Sequence, residues 1–327
     1  MASYRKREAK WQARVTRKGF PAETKTFSTK QAAERWATHV ESDMDRGGYT
    51  SRTEAERTTL SEVLDRYMAE VSPTKRGGKD EIIRLKALQR HRIAQLSMAA
   101  LTPKAVAEYR DQRLGTCAAS TVIRDLAALS SIINHCRKEW GIAIPNPVSL
   151  IRKPTAPSGR NRILSISEEE RLLKALEPKG NRNPYMKPLV VIALETAMRR
   201  GELLGLLWKN VDLKLRVAHL PMTKNGDSRS VPLSSRALNT LNRLPRSIDG
   251  RVFPINAAAM EKVFERAKIR AELQDLHFHD LRHTATTRLA EKVSNILELS
   301  AITGHKDLRM LKRYYHPKAE EIAVKLG

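Results

Sequence analysis

Four short stretches in the C-terminal half of the chain carry polar groups that packing alone does not require. Together they contain arginine, histidine and tyrosine. Guanidinium groups bind phosphate through paired hydrogen bonds, and phenols and imidazoles can attack phosphorus or carry protons. Within one stretch, His279, Arg282 and His283 are three and four residues apart, so they share one face of a helix. The stretches are TAMRRGE (196–202), HDLRH (279–283), GH (304–305) and RYYH (313–316).

Each stretch also has an interpretation without chemistry. An arginine pair at a helix end is more often a cap or a surface pair, and a tyrosine near a C-terminus usually packs. A zinc site is the rival chemical interpretation, and its candidate ligands are His277, His279, His283 and His305. We disfavour zinc because Arg282 would place a cation among the ligands, and no cysteine or paired carboxylate completes the set. The sequence therefore predicts neither a metal nor a cofactor.

Taken in order, the stretches resemble the signature of the tyrosine recombinases, also called phage integrases, over about residues 58–318. The first arginine of that family stands in a Thr-Gly-x-Arg-x-x-Glu pattern. Residues 196–202 match this pattern, with Ala197 in place of the usual glycine. The match identifies Arg199, and not Arg200, as the family arginine.

The other motifs follow in the family's order. The His-x-x-Arg box is matched by residues 279–282 and the Gly-His pair by residues 304–305. The Tyr-x-His motif begins nine residues after the histidine of that pair, which identifies Tyr314 rather than Tyr315. The family's hairpin lysine is similar in position to Lys224. Five motifs in the correct order and spacing are not explained by chance.

The resemblance implies a reaction at a DNA phosphodiester that uses neither metal nor ATP. Arg199 and Arg282 would hold the scissile phosphate, and their permanent charge would do what magnesium does in many phosphoryl transfers. Tyr314 would attack the phosphorus and form a covalent 3′-phosphotyrosine, which keeps the energy of the broken bond in the new ester. The expected outcome is cutting and rejoining of strands.

Three further residues would move or hold protons. A phenol has a pKa of about 10, so a neighbouring group must accept its proton, and by family analogy this group is His279. Lys224 would return a proton to the leaving 5′-oxygen, and His305 would hydrogen-bond a phosphate oxygen. Glu202 either orients a group of the site or is a helix-start acid paired with a neighbouring arginine, and the sequence leaves both open.

The charge of the chain indicates a polyanionic partner. Its 327 residues include 60 Lys and Arg against 36 Asp and Glu, a formal net charge of +24. The excess is +5 in residues 1–57, +8 in 58–160 and +11 in 161–327, so a basic tail does not explain it. No apolar run is long enough to span a bilayer, which favours double-stranded DNA over a membrane. With two unpatterned cysteines and no signal-peptide stretch, we expect a bacterial cytoplasmic protein associated with the nucleoid.

Three domains are predicted to position these residues, and the first covers residues 1–57. Alternating apolar residues within 9–27 indicate a β-hairpin, and residues 30–46 indicate a helix that closes at Gly47-Gly48. This small sheet-plus-helix module is similar to the arm-type DNA-binding module of many phage integrases.

The second domain, residues 58–155, is predicted to be a helical core-binding domain. Segments 60–71 and 80–98 have the pattern of amphipathic helices, and a Pro-, Gly- and base-rich stretch, RKPTAPSGRNR, forms a linker. A longer helix is marked by apolar residues at alternating spacings of four and three, which are Val122, Leu126, Leu129, Ile133, Cys136 and Trp140.

The third domain, residues 156–327, is predicted to be a mixed α+β catalytic domain with a small antiparallel sheet. Its signals are an acidic helix start at 167–170, an apolar helix near 188–198, and two strand-like runs that flank a turn at Asn225-Gly226. The expected fold is therefore multidomain and mainly α.

Two functions within the family stay open. The N-terminal module favours an integrase that joins two attachment sites, whereas residues 192–202 and 275–285 look close to shufflon-type DNA invertases. A DNA-binding regulator that has lost catalysis is disfavoured by the complete catalytic set, and a type IB topoisomerase by the arm-like module. The resemblance also implies a homotetramer on two DNA sites, assembled from DNA-bound monomers or dimers. The terminal helix, AEEIAVKLG, would dock on its own domain or on a neighbour.

Overall fold

The chain divides into two compact units, Met1–Ser158 and Gly159–Gly327. The division falls close to the predicted boundary at residues 155–156, and the first unit contains two separate hydrophobic clusters. The predicted scheme of three domains stays a prediction. The computed structural model describes residues 2–20, 22–45, 53–142, 144–178, 183–221, 228–293, 295–315, 320 and 323.

The first unit begins with a small antiparallel sheet and one helix. The strands pair in the order β1 (Ala2–Arg7), β2 (Lys10–Val15) and β3 (Glu23–Phe27), and the helix is α1 (Lys30–Asp45). The predicted hairpin and helix are confirmed. Strand β1 is an addition, because its side chains are mostly exposed and no apolar alternation marks it in the sequence. The core of this part consists of Ala13, Val15, Ala33, Ala37 and Met44.

Helices fill the rest of the first unit. They are α2 (Thr53–Arg57), α3 (Leu60–Glu70), α4 (Gly78–Gln89), α5 (Pro103–Leu114) and α6 (Ala119–Glu139). The stripe predicted on the longest helix is confirmed, since its members from Val122 to Cys136 are buried, and Trp140 caps the helix. A capping box between Thr59 and Glu62 sets the start of α3.

The predicted helix over residues 80–98 is wrong in its second half. Helix α4 ends at Gln89, and a 3-10 helix, Arg92–Gln95, follows. His91 breaks the α-helix, because its backbone is extended and its ring accepts a hydrogen bond from the amide of Ile93. The ring of His91 then packs edge-on against Tyr109 at 4.8 Å between centroids. A tertiary contact therefore overrides the helical pattern here.

The second unit combines seven helices, among its described residues, with a second antiparallel sheet. The strands pair in the order β4 (Val211–Asp212), β5 (Val217–Leu220) and β6 (Arg229–Pro232). The helices are α7 (Ile166–Ala175), α8 (Met186–Thr196), α9 (Arg200–Leu204), α10 (Ser235–Asn242), α11 (Ala257–Arg270), α12 (Phe278–Lys292) and α13 (Ile296–Thr303).

Helix α8 is the centre of the second unit. Its apolar sequence, PLVVIAL, has hardly a polar face, and the helix is correspondingly buried on nearly all sides. It packs against α10, α11 and α12 and contacts α9. Because α8 ends at Thr196 and α12 runs beside it, the TAMRRGE and HDLRH stretches are held close together.

The predicted mainly helical fold with a small antiparallel sheet is confirmed in the second unit. The strands on either side of the predicted turn pair, with Ala218 opposite Val231, while Asn225-Gly226 itself lies outside the described residues. Helix α7 starts close to the predicted residue 167, because a capping box joins Ser165 and Glu168. The terminal helix AEEIAVKLG lies almost wholly outside the described residues.

Within the described ranges, no helix has both the length and the apolar character needed to cross a membrane.

Candidate active site

Arg282 lies on α12, and its side chain is buried. Its Nη2 donates to the carbonyl of Thr303 at 2.7 Å, and its Nη1 donates to the carbonyl of Ala197. Burial, and then the charge of Arg199, lower the pKa of Arg282 to about 9, so the guanidinium stays protonated at neutral pH. The carbonyls at two helix ends thus fix the plane of this cation.

Ala197 ends α8 in the left-handed conformation, with φ of 51°. This conformation places Cβ close to the backbone and favours glycine, which explains why the family pattern has glycine here. The alanine still presents its carbonyl to Arg282. The departure from the pattern therefore adds backbone strain but keeps the contact with the arginine.

Arg199 is placed by the start of α9. Its amide donates to Glu202 Oε2 at 2.8 Å, and its Nη1 donates to Glu202 Oε1 at 2.9 Å. Its Nη2 donates to the carbonyl of Gly304 at 2.9 Å. The neighbouring Arg200 instead pairs with Glu261 on the surface at 3.1 Å. This geometry supports the choice of Arg199 over Arg200.

Arg229, on β6, joins this network, and the motif analysis did not single it out. Its Nη1 and Nη2 each donate to Glu202 at 2.8 Å, and its Nε donates to the carbonyl of Ile302 at 3.1 Å. The sequence did hold a signal, since Arg229 shares a strand face with the buried Val231. A buried arginine on a core-facing position requires an anionic partner.

Glu202 is the carboxylate that holds both arginines. Burial alone would raise its pKa, but the hydrogen bonds from Arg229, from the Arg199 amide and from the Arg199 guanidinium lower the pKa to about 2. The carboxylate is therefore ionised at neutral pH. Both interpretations left open by the sequence fit these contacts, since Glu202 lies in the first turn of α9 beside Arg199 and also holds Arg229 from β6.

His305 follows α13, which ends at Gly304 in the left-handed conformation with φ of 68°. The ring lies between Thr303 Oγ1, 2.8 Å from Nδ1, and Arg282 Nη2, 3.2 Å from Nε2. A guanidinium can only donate, so Nε2 accepts and the proton is on Nδ1. Burial, followed by the charge of Arg282, lowers the pKa of His305 to about 3, so the ring is neutral.

Tyr314 lies beside α12, half-buried, with its hydroxyl hydrogen-bonded to Nδ1 of His283. The two rings are nearly parallel, with centroids 5.9 Å apart at 29°. Burial raises the pKa of Tyr314. The tyrosine borders a cavity of about 230 Å³, which is lined by Asn161, Ile163, His283, Thr287, Arg313 and Tyr314.

The stretch before α7 supports this tyrosine from the other side. Arg160 pairs with the buried Asp280 at the start of α12 at 2.9 Å. Its carbonyl accepts a hydrogen bond from Arg313 Nη2 at 2.6 Å. The residue next to Tyr314 is thereby connected to α12.

His279 is exposed, one helical turn before His283, and the two rings meet edge-on at 5.0 Å. It also borders a second groove, beside Arg200 and Phe278. Two other predicted groups, Lys224 and His316, lie outside the described residues. Within the described ranges, no group of three or more His, Cys, Asp or Glu side chains is arranged to hold a metal.

The arrangement is suited to binding a phosphate diester. Arg199, Arg282 and His305 meet around the Gly304 turn, and each arginine keeps further N–H donors beyond those used on carbonyls. Donors fixed in advance stabilise developing negative charge without reorganisation. Tyr314 is hydrogen-bonded to His283, the residue that follows Arg282 on α12. A nucleophile therefore stands beside an anion site.

Comparison with known proteins gives the same picture. The model of the phage integrase family matches residues 162–321. A shufflon-specific DNA recombinase of Escherichia coli is 43% identical over 279 residues, which cover 83% of this chain and 72% of the relative. A Haemophilus influenzae protein that carries the provisional name integrase/recombinase is 36% identical over an alignment of 341 residues, covering 100% of this chain and 91% of the relative.

Among solved structures, a lambda integrase tetramer bound to a Holliday junction superposes with a TM-score of 0.66. The match covers 94% of this chain and 93% of that one, at 19% identity, and shows a shared fold. The two relatives, the family match and the site geometry agree, and the chain belongs to the phage integrase family of tyrosine recombinases.

Proposed function

We propose that this tyrosine-type site-specific recombinase cuts and rejoins DNA with Tyr314 as nucleophile and with Arg199 and Arg282 holding the scissile phosphate. The observation that carries the proposal is the convergence of both guanidinium groups on the carbonyls of Thr303 and Gly304, together with the hydrogen bond between Tyr314 and His283, the residue that follows Arg282. The phenolic oxygen forms the bond to phosphorus, the bond to the 5′-oxygen breaks, and a 3′-phosphotyrosine remains. Neither ATP nor a metal ion takes part.

The roles of the remaining residues are part of the same proposal. Lys224 protonates the leaving 5′-oxygen, and its place in the sequence between the paired strands β5 and β6 supports this role. His305 lies beside Arg282, and we propose that it hydrogen-bonds a phosphate oxygen through Nε2. This role requires the ring proton to move from Nδ1 to Nε2, the atom that accepts from Arg282 in this structure. His279 stands in the family's His-x-x-Arg box and completes the set, and its ring meets the edge of the His283 ring.

Positive charge supports DNA as the substrate of both units. The formal net charge of +24 is spread along the chain, and a duplex presents a dense row of phosphates. The solved lambda integrase structure is a tetramer bound to a Holliday junction. By this analogy, four copies of the chain, recruited as DNA-bound monomers or dimers, act on two sites at the nucleoid of a bacterial cell.

Integration is the outcome that we propose first, because the N-terminal sheet and helix form the kind of module that would bind separate arm sites. DNA inversion is the second candidate, and the 43% identity to a shufflon-specific recombinase favours it. Plasmids with two sites in direct or inverted orientation distinguish the outcomes, since an invertase flips the inverted pair. Binding of the full chain to a second class of site would favour integration.

Covalent trapping tests the nucleophile. The Tyr314→Phe protein is used to recover its binding site from a random-sequence pool of duplexes, because this change leaves the arginines in place. A nicked duplex of the recovered site then traps the wild-type protein as a covalent adduct on a denaturing gel. We expect Tyr314→Phe to bind this duplex and to form no adduct.

The matched control is Tyr315→Phe, which should form the adduct. An adduct with Tyr314→Phe, together with none from Tyr315→Phe, would show that Tyr315 is the nucleophile and that our assignment is wrong. No adduct from the wild-type protein would contradict the proposed function itself.

A further inference from the structure

The side chain hydrogen-bonded to the hydroxyl of Tyr314 is His283, a residue outside the family motifs matched above. It follows Arg282 directly on α12, so the same helical turn presents a phosphate-binding cation and an imidazole. Its Nδ1 meets the hydroxyl while its ring lies nearly parallel to the phenol. His279, to which family analogy assigns the proton, meets the edge of the His283 ring.

The hydrogen bond runs from the phenol to the imidazole. Burial lowers the pKa of His283 to about 4, with further lowering by the charges of His279 and Arg313, so the ring is neutral at pH 7. Burial also raises the pKa of Tyr314, which keeps the proton on the phenol. A neutral ring that accepts at Nδ1 carries its proton on Nε2. The phenol of Tyr314 therefore already donates its hydrogen bond to an unprotonated nitrogen, Nδ1 of His283.

Bound DNA would make His283 a stronger base. After burial, the pKa of His283 is lowered by three neighbours that are or can be positive, His279, Arg313 and Arg282. The negative charge of a phosphate bound beside Arg282 would offset their effect and raise this pKa. A general base is most effective when its pKa is near the working pH. Charged or titratable groups face the His283 ring from three elements. They are Asp280, Arg282 and His279 from α12, Arg313 and Tyr314 from the C-terminal segment, and His305 from the turn after α13. The stretch before α7 contributes only the uncharged Asn161 and Ile163 to the same cavity.

We propose, on the basis of the function above, that His283 rather than His279 accepts the phenolic proton of Tyr314. As the phenolic oxygen bonds to phosphorus, its proton passes to Nδ1 of His283. The bond from phosphorus to the 5′-oxygen breaks, and that oxygen takes a proton from the acid that we assign to Lys224. In the rejoining step the 5′-hydroxyl attacks phosphorus and gives its proton back to Lys224. The bond from phosphorus to the tyrosine oxygen breaks, and the imidazolium of His283 returns its proton to that oxygen. His279 acts by packing against the edge of the accepting ring.

The acidity of the nucleophile provides the test. The rate of adduct formation is measured in single turnover on the nicked recovered duplex, for His283→Ala and for the matched control His279→Ala on the same helix. We expect His283→Ala to cleave about 10²-fold more slowly with unchanged DNA affinity. The rate of this variant should rise with pH, because hydroxide must now remove the proton. His279→Ala should lose much less.

Replacing Tyr314 by a fluorinated tyrosine, whose phenol is more acidic, should restore most of the rate in His283→Ala. The same replacement should help the His279→Ala protein little, since that protein keeps its base. His283→Asn is the second variant, because its amide can still accept a hydrogen bond from the phenol but cannot take the proton. We expect it to be as slow as His283→Ala and to be rescued in the same way.

Three outcomes would overturn the inference while leaving the proposed function intact. Wild-type rates from His283→Asn would show that the ring only orients the tyrosine. If the fluorotyrosine restored the rate only in His279→Ala, the residue that accepts the proton would be His279. Unrescued loss in both His283 variants, with DNA binding retained, would show that proton removal is not the step they impair. In each case the wild-type protein still forms its adduct.

Discussion

Arg282 combines burial with a permanent charge, and that combination is useful chiefly in a transition state. Three of its contacts are with the protein, namely the carbonyls of Ala197 and Thr303 and the ring of His305. The cation is thus desolvated and aimed before DNA arrives. Such fixed charge interacts most strongly where negative charge grows during the reaction.

Replacement of Arg282 should therefore impair cleavage more than binding. We expect Arg282→Ala to slow adduct formation by about 10²-fold or more and to weaken binding of the recovered duplex by less than about tenfold. Gel-shift affinity and single-turnover trapping on the same duplex give the two numbers. Equal losses in both would argue against a role in the transition state.

Glu202 should make the stability of the protein depend on pH. Its pKa is lowered to about 2 in the folded chain and is ordinary in the unfolded chain, so its contribution is complete above the unfolded value and is lost as pH falls towards the folded one. The full contribution is roughly 3 kcal/mol. We expect the difference in unfolding free energy between wild type and Glu202→Gln to shrink from about pH 5 to about pH 3. Urea titrations at each pH measure it, and a constant difference would contradict the assignment.

At the scale of elements, β6 and α13 are joined to α9 through one ion-paired centre. Arg229 reaches from β6 to Glu202 at the start of α9 and to the carbonyl of Ile302 in α13. A Cβ on Gly304 would lie 2.9 Å from the same guanidinium, so the turn closes directly over Arg229. Through this centre, the sheet that contains β6 is connected to the turn that places His305.

Loss of Arg229 should loosen both elements. We expect Arg229→Ala to reduce the unfolding free energy by about 3 kcal/mol, because a buried carboxylate loses its bidentate partner. Adduct formation should fall as well, and Arg229→Lys should recover part of both. Denaturant titration and covalent trapping are the measurements.

Arg200→Ala is the matched control for this experiment. Its pair with Glu261 is exposed, so the change should cost less than about 1 kcal/mol. If the two variants were equally stable, the buried centre would have no special role.

At the scale of the whole molecule, charge is the property that no single domain accounts for. The sheet-plus-helix part, the helical part and the catalytic unit all carry a basic excess. Affinity that comes from phosphate contacts involves the release of bound counterions and therefore depends steeply on salt.

DNA binding by the full chain should weaken by about 10³-fold or more between about 50 mM and about 200 mM salt. Equilibrium binding to the recovered duplex across this range gives the slope of log affinity against log salt. A scrambled duplex should show a similar slope at lower affinity, because phosphate contacts do not depend on sequence. A change below tenfold would mean that few phosphates are contacted.

The residues alone were enough to see the resemblance to the family through its ordered motifs, and to predict the hairpin, the first helix and the stripe on α6. These features follow from local periodicity and from residue spacing, which are properties of short segments. Resemblance to the family's motifs selected Arg199 over Arg200 and Tyr314 over Tyr315. Both choices stay predictions, and in the structure Arg200 pairs with Glu261 on the surface.

Only the tertiary structure decided which groups meet. Arg199 contacts a carbonyl 105 residues away, Arg229 pairs with Glu202 27 residues away, and His283 contacts Tyr314 31 residues away. Local pattern cannot supply such contacts, because they depend on how α8, α12 and α13 pack. His279 and His283 share one helical face in the sequence, and the packing of the C-terminal segment places His283 against the nucleophile.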